Sequence, residues 1–402
     1  MSSGNLIQHS YLEEATFAEV NPVGDFQAIS KTSAAFTATP EISSSTTVRS
    51  DRKPSGQTVT GLDVNASISN EFSRTVIHDD FIEATMMDTW PAFAAAIVQD
   101  MAYDGTADTL TTTGGTDLTT VVNVGDTVQI SGLVAPADVY NGIVFYVTSV
   151  TATVLGVITS DTVADWDATA GAGASTQVSP YINIGSTLRS FSFEKQYLDM
   201  TNKAIMYTGE VFSSFNATFE YGSIPTIEYS LMGSDKDILN GTPIVQPGGA
   251  RTLLATPSEK FFSAVTGIPY IIIDGVAVLY CIESLSIGND NGLTSRSCVG
   301  KRAKTAFDLG TANVTVSTTA HFSDANFGLL QKILDQTIVQ VIFPVINEDG
   351  FGYNLMVYCQ LSGDDPDSTG QDAQAMLDLS GTGIPDATTG EVIRISKIGE
   401  LP

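Results

Sequence analysis

The side chains best suited to acid–base or metal chemistry are widely separated along this chain of 402 residues. They are the histidines and cysteines His9, His78, His321, Cys281, Cys298 and Cys359. No metal-ligand spacing occurs among them. The most tempting grouping is the run His78-Asp79-Asp80, but Asp is favoured at the start of a helix by the helix dipole. We therefore interpret this run as a solvated helix N-terminus rather than a catalytic cluster.

The acidic segment DDPDSTGQD (364–372) resembles a calcium-binding loop, with Asp365, Asp367, Thr369 and Gly370 in partial register. Its twelfth position is Met376 where such a loop needs a bidentate Glu, so a solvated hairpin tip is the favoured interpretation and calcium the alternative. The glycine-rich segments GGTD, PGGART and GTGIPD lack a P-loop lysine and a dinucleotide fingerprint, which indicates turns. The sequence thus predicts no enzyme, no metal and no cofactor.

Charge excludes general binding to nucleic acid, because 45 acidic residues outnumber 18 basic ones and give a formal net charge of −27. The basic residues nevertheless form two clusters, which are Arg49, Arg52 and Lys53, and Lys301, Arg302 and Lys304. Neither cluster contains the aromatic residues that stack on bases. We expect both to pair with acidic side chains on another protein surface.

The cysteine count and the hydrophobic runs indicate a chain that is made in a reducing compartment and does not enter a membrane. Three cysteines at wide spacing do not form a disulfide framework. The start of the chain, MSSGNLIQHSYLEE, has no features of a signal peptide. The most apolar run, IPYIIIDGVAVLYCI (268–282), is too short to span a bilayer as a helix and rich in β-branched residues, so it predicts strands.

A strand is predicted where apolar and polar residues alternate from Leu62 to Ser69. Its apolar face carries Leu62, Val64, Ala66 and Ile68, and its polar face carries Asp63, Asn65, Ser67 and Ser69. A helix is predicted next, with Asp80 and Glu83 as a capping box and a stripe of Ile77, Phe81, Ile82, Met86 and Trp90.

The same strand–helix pattern recurs 250 residues later. The second strand has apolar Val314, Val316, Ala320 and Phe322, and a polar face of Thr315, Ser317, Thr319 and His321. Ser323 is the predicted cap of a helix with Phe327, Leu330 and Leu334 on its apolar side. At this constant offset Arg52 aligns with Arg302, Val64 with Val314, Ser67 with Ser317, Phe72 with Phe322 and Ser73 with Ser323. We therefore predict two tandem modules.

Residues 103–180 contain no Lys or Arg and read as a small β-barrel or immunoglobulin-like domain inserted into the first module. Its expected joints are DGTADTLTTTGGTD and TAGAGASTQ, and the alternative is a long disordered loop. The predicted organisation is a first module of residues 1–102 and 181–240, the insertion, a linker at 241–262 rich in Pro and Gly, and a second module at 263–402. The fold class is mainly β, with two β-sandwich or β-barrel modules that each have a flanking helix.

The chain resembles the major tail tube proteins of bacteriophages with long, non-contractile tails. The resemblance rests on TVRSDRKPSGQTVTGLDVNASISNEFSRTVIHDDFIEATMMDTW (47–90), RSFSFEKQYLDMTNKAIMYTGEVFSSFNATF (189–219) and GTANVTVSTTAHFSDANFGLLQKIL (310–334). With the insertion it covers most of the chain. The resemblance implies a structural virion protein that is assembled in the host cytoplasm. It also implies rings stacked around a tape-measure protein and capped by tail-end proteins, with a channel that later passes DNA.

On this interpretation the polar strand faces line the channel, with Asp63, Asn65, Ser67, Ser69, Thr315, Ser317 and Thr319 as the candidates. Such a face lets DNA slide without specific binding, and the two basic clusters dock on neighbouring subunits or rings. Two modules per chain favour a trimer with pseudo-sixfold symmetry, and a hexamer is the alternative. The insertion is expected to project outward, and no part of the chain to enter a membrane.

Two other classes of protein would share several of these features. A capsid decoration protein or tail adhesin would also be acidic and rich in strands, but would lack a repeated strand–helix pattern. A secreted carbohydrate-active enzyme would carry a signal peptide and a cleft of Trp residues, whereas this chain has Trp90 and Trp166 alone.

Overall fold

A computed structural model describes residues 6–47, 50–51, 53, 55–159, 163–241, 244, 251–257, 260–277, 281–324, 326–366 and 374–401. These ranges are mainly β-structure with two α-helices, which confirms the predicted fold class. No helix among them has the length and apolar character needed to cross a membrane.

The first stretch of chain forms strands and one helix before the insertion begins. These elements are β1 (Ile7–Glu13), β2 (Phe26–Ala28), β3 (Ser33–Ser44), β4 (Gln57–Glu71) and α1 (Val76–Met86). Strands β3 and β4 form a long antiparallel hairpin. Leu62, Val64, Ala66 and Ile68 of β4 are buried, in agreement with the predicted alternation.

The insertion folds as a seven-stranded sheet with its own hydrophobic core. Its strands are β5 (Ile97–Gln99), β6 (Met101–Asp104), β7 (Thr109–Thr112), β8 (Thr127–Ser131), β9 (Val144–Val150), β10 (Val154–Ile158) and β11 (Ala174–Val178). Short 3-10 helices lie at Leu118–Thr120 and Ala137–Tyr140. The prediction of flexible joints at DGTADTLTTTGGTD and TAGAGASTQ is wrong, because these segments supply β7 and most of β11 to the sheet.

After the insertion the chain returns to pair with the first strands. The elements are β12 (Tyr181–Ile182), β13 (Phe191–Tyr197), β14 (Lys203–Glu220), β15 (Thr226–Gly233) and β16 (Asp235–Asn240). The resulting sheet has the order β13-β14-β15-β4-β3. Helix α1 packs against β14.

The rest of the chain builds a second sheet with the same pattern of pairing. The elements of this stretch are β17 (Leu253–Leu254), β18 (Ile272–Ile273), β19 (Val276–Ala277), β20 (Ile282–Asp290), β21 (Thr294–Arg296), β22 (Ala306–Asp308), β23 (Asn313–His321), α2 (Gly328–Leu334), β24 (Ile338–Ile346), β25 (Gly352–Gly363), β26 (Met376–Gly383) and β27 (Ile393–Ile398). Of these, β17 pairs with β2, and β21 and β22 form a separate hairpin. The order β24-β25-β26-β23-β20 repeats that of the first sheet, and α2 packs against β25 as α1 packs against β14. The apolar run 268–282 contains β18, β19 and the start of β20, as predicted.

Helix α1 begins earlier than the sequence suggested. Its N-cap is Thr75, whose hydroxyl accepts a hydrogen bond from the His78 backbone N–H. The capping box at Asp80 and Glu83 is therefore wrong, since both lie inside the helix, where Asp80 accepts from the Tyr11 hydroxyl and Glu83 pairs with Arg189.

Helix α2 is short and differs from its prediction in both cap and buried face. Its N-cap is Phe327, without a side-chain capping bond, and Ser323 precedes the helix by several residues. Leu329 is buried, whereas Phe327 and Leu334 are 61% and 77% exposed. The predicted apolar stripe is wrong for Phe327 and Leu334, whereas Leu330 packs against the core. A helix of two turns offers too few residues to fix its phase.

One hydrophobic core runs through both sheets. Phe72, just after β4, stacks on Tyr353 of β25 with ring centroids 5.5 Å apart, and it also contacts Phe262. The insertion packs on the second sheet as well, through Tyr146 against Ile342 and Met356. A buried ion pair joins Arg394 of β27 to Asp126 of the insertion at 2.5 Å. The insertion thus begins in the first sheet and rests against the second.

Candidate functional surface

The two sheets are joined into one through β14. The second half of this strand pairs with β15 on one side and with β20 on the other, over seven residue pairs from Ser214 with Asp290 to Glu220 with Ser284. The joined sheet has the order β3-β4-β15-β14-β20-β23-β26-β25. Its two faces differ sharply, because apolar residues from each strand point into the core and polar residues point away.

We call the outward side of these eight strands the polar face. All seven predicted channel-lining residues belong to it. Asn65, Thr315 and Ser317 are exposed, and Asp63, Ser67, Ser69 and Thr319 are partly exposed. The structure therefore brings the two groups, 250 residues apart in the sequence, onto one surface.

More than half of this surface comes from strands whose outward residues were not predicted from the sequence. The additional strands contribute alternate side chains such as Glu228, Ser230, Asn216, Thr218, Ser286, Asp378, Ser380 and Ser362. The period-two alternation in β15 and β26, where Ile227, Tyr229, Leu377 and Leu379 are buried, was the signal that could have located them.

Two rows of residues across the polar face show how closely the two sheets correspond. In the first sheet the row is Ala35, Ser67, Ser230 and Ser214, on β3, β4, β15 and β14. In the second it is Ser286, Ser317, Ser380 and Ser362, on β20, β23, β26 and β25. When Ser67 is placed on Ser317, the observed strand pairings align serine with serine at the next two positions as well.

Several hydroxyl groups on the polar face, mainly in the second sheet, bond to neighbouring side chains of that face. The Ser286 and Ser317 Oγ atoms are 2.7 Å apart, and those of Ser362 and Ser380 are 2.8 Å apart. Thr319 donates to Asp378 at 2.7 Å. These groups are already satisfied within the protein, so they have little to offer a passing ligand.

The charge of the polar face is entirely acidic apart from one histidine. It carries carboxylates such as Asp63, Glu228, Asp290 and Asp378. The eight strands contain no Lys or Arg except Lys203, at the end of β14 that lies outside the joined sheet. A surface of this kind repels phosphate and offers it no cationic hydrogen-bond donor.

The second basic cluster docks on the first sheet of the same chain, whereas pairing with another protein surface was predicted for it. It lies beside the β21–β22 hairpin, where Arg302 pairs with Asp235 at 2.8 Å and Lys304 with Glu41 at 3.0 Å. The Leu62 backbone N–H donates to the Arg302 carbonyl. Lys53 and Lys301 are exposed, and Arg49 and Arg52 lie outside the described residues.

The run His78-Asp79-Asp80 is a buried structural network rather than a solvated helix start, so that interpretation is wrong. The His78 Nδ1 lies 3.0 Å from the Tyr229 hydroxyl, and burial lowers the pKa of His78 to about 4. Asp79 pairs with Arg74 and with Lys397 at 3.0 Å, and it accepts from the Tyr353 hydroxyl at 2.7 Å. These contacts hold α1 against β25 and β27.

Among the described residues, no three His, Cys, Asp or Glu side chains converge as metal ligands do. Of the calcium-loop candidates, Asp365 is described and exposed, whereas Asp367, Thr369 and Gly370 lie outside the described residues.

Comparison with known protein families identifies the kind of protein that carries this surface. A family model described as phage tail tube protein matches residues 4–383. The chain belongs to the phage tail tube protein family. A search of curated proteins found no match. The family match confirms the resemblance noted from the sequence and makes this tail tube protein a β-rich structural component of the bacteriophage virion.

Proposed function

We propose that this tail tube protein forms stacked rings whose channel is lined by the polar face. The observation that supports this most strongly is an eight-stranded surface of small hydroxyls, amides and carboxylates without Lys or Arg. DNA in such a channel meets repulsive charge and no cationic hydrogen-bond donor from the lining strands, so it slides without specific binding. The role is structural rather than enzymatic.

Three chains complete the ring. The matching strand orders and serine rows support a duplication that gives each chain two tube modules. Three copies supply 24 strands, which at about 4.8 Å spacing give a perimeter of roughly 115 Å before strand tilt. A channel with that perimeter is already wider than a DNA duplex. A hexamer of this chain would double the perimeter.

Other contacts follow from the same arrangement. The insertion lies outside the channel, since a folded domain of this size would block it. Arg49, Arg52 and Lys53 dock on a neighbouring subunit or ring, as Arg302 and Lys304 dock on Asp235 and Glu41 within the chain. The rings assemble in the host cytoplasm around a tape-measure protein and end at tail-end proteins.

Negative-stain microscopy tests the ring, and reagent access tests the channel. With Cys281 and Cys298 replaced by Ser, Ser286→Cys places a thiol on the polar face, and Val139→Cys places one on the insertion, where Val139 is 75% exposed. In assembled tubes a bulky polymer-linked maleimide should label Val139→Cys readily and Ser286→Cys slowly. Equal labelling of both in intact tubes would exclude the polar face from the channel, and a protein that forms neither rings nor tubes would exclude the function.

A further inference from the structure

Two strand edges of this chain remain open although their counterparts inside the chain are joined. Strand β3 pairs with β4 on one side, and its other edge faces no strand among the described residues. Strand β25 pairs with β24 only as far as Gln360, so Leu361, Ser362 and Gly363 have a strand, β26, on one side alone. An open edge as long as β3 is a site for pairing with another chain.

The joint within the chain shows what should cover these edges. Strand β20 occupies in the second sheet the position that β3 has in the first, and it pairs with the second half of β14. Strand β25 occupies the position of β14. The missing counterpart of the β14–β20 joint is therefore a pairing of β25 with β3, and within one chain these two strands lie at opposite ends of the joined sheet.

We infer that β3 of one copy pairs antiparallel with the end of β25 in a second copy, with Thr39 opposite Ser362. The register comes from the two serine rows, in which Ala35 corresponds to Ser286 and Ser214 to Ser362. Ser214 pairs with Asp290, four residues after Ser286. The residue four positions after Ala35 is Thr39, and the pairing continues from Gly363 opposite Ala38 to Pro366 opposite Ala35.

Side chains next to this edge support the same partner. Ile42 and Val59, paired across the β3–β4 hairpin, are 58% and 54% exposed. The position that corresponds to Ile42 is Leu293, which is partly buried and packs with Phe307 against Val211 of the first sheet. Ile42 and Val59 are thus exposed at the position where, in the second half of the chain, Leu293 packs against the neighbouring sheet. The register also places Asp364 opposite exposed Thr37, so no like charge faces it.

This pairing rests on the proposed function and makes it more specific. Each chain offers one donor edge, β3, and one acceptor edge, the end of β25, so copies join head to tail and close a ring. A single kind of contact between chains then repeats the contact within each chain.

Disulfide trapping tests the register. In the background without Cys281 and Cys298, Thr39→Cys combined with Ser362→Cys should cross-link on oxidation, because residues directly opposite lie within disulfide reach. The matched control, Ala35→Cys with Ser362→Cys, moves one thiol four residues along the same face, roughly 13 Å away, and should not cross-link. Each single variant should form tubes without cross-links, which shows that the substitutions permit folding and assembly.

On a denaturing gel the oxidised double variant should give a ladder of covalent oligomers that ends at the ring size and collapses on reduction. Tubes that form but show no Thr39–Ser362 cross-link, or that cross-link equally in the control, would overturn the register while leaving the proposed function intact. A parent protein that forms no rings or tubes would instead overturn the proposed function, and the inference with it.

Discussion

A buried carboxyl group in β14 should make this protein lose stability as the pH rises. Glu210 is fully buried, and neither of its carboxyl oxygens has a hydrogen-bond partner. Beside it, Glu14 accepts hydrogen bonds from the Ser192 hydroxyl and the Gly209 backbone N–H. Burial, and then the charge of Glu14, raise the pKa of Glu210 from 4.5 to about 8. The folded protein therefore holds a proton that the unfolded chain releases.

The sign and size of the effect follow from this difference. Between pH 4.5 and about 8 the native state binds one more proton than the unfolded state, so the free energy of unfolding falls by about 1.4 kcal/mol per pH unit. From pH 5.5 to 8 this amounts to about 3 kcal/mol. Glu210→Gln keeps the shape and removes the titration, so it should cancel that loss.

Urea unfolding of the dispersed chain, followed by Trp fluorescence at pH 5.5, 7 and 8, measures the effect. Glu210→Gln should match the parent near pH 5.5 and exceed its stability by about 3 kcal/mol at pH 8. Glu228→Gln, an exposed acid on the polar face, is the control and should leave the pH dependence unchanged. Parallel curves for the parent and Glu210→Gln would refute the reasoning.

Three further predictions concern the core and the docked insertion. Burial lowers the pKa of His9 to about 3, so the folded protein favours neutral His9 and its free energy of unfolding should fall as the pH drops below 6.5. His9→Phe should reduce this loss of stability at acid pH in urea titrations. An unchanged dependence on pH below 6.5 would contradict it. Arg394→Met leaves the Asp126 charge buried and should destabilise the protein by about 3–5 kcal/mol, with faster proteolysis of the insertion. Adding Asp126→Asn should restore much of that stability, and no recovery would argue against the ion pair as the cause. Phe72→Ala should cost about 3–5 kcal/mol by calorimetry, because its ring packs between the two sheets, and a loss below 1 kcal/mol would contradict that placement.

Strand positions were predictable where one face of the strand is buried and the other is exposed to solvent. The run IVQVIFPVI became β24, and the alternation around Val64 and Ser67 gave the correct phase of β4. This works because the side-chain period of a strand is two, so a single exposed face leaves a clear trace in the sequence. The predicted channel-lining residues rested on that phase, and they do share one surface.

The docking of distant segments could not be predicted, because it depends on contacts that leave no local pattern. Asp126 and Arg394 are 268 residues apart and individually look like surface charges. Asp79 likewise looked like a dipole-favoured residue in solvent, but it is enclosed by Arg74, Tyr353 and Lys397. Tertiary packing determines the burial and the partners of these residues, and no sequence periodicity indicates it.

Strand β14 has a mechanical consequence. It is 18 residues long, about 60 Å, and its backbone pairs with strands of the first sheet along its length and with β20 of the second sheet. The insertion also links the first sheet, from which it begins, to the second sheet, on which it packs. The two sheets of one molecule therefore have no hinge between them. A tail built from such stiff units must take up any curvature at the seams between molecules, which makes those seams, rather than the protein interior, the place where flexural strength is set.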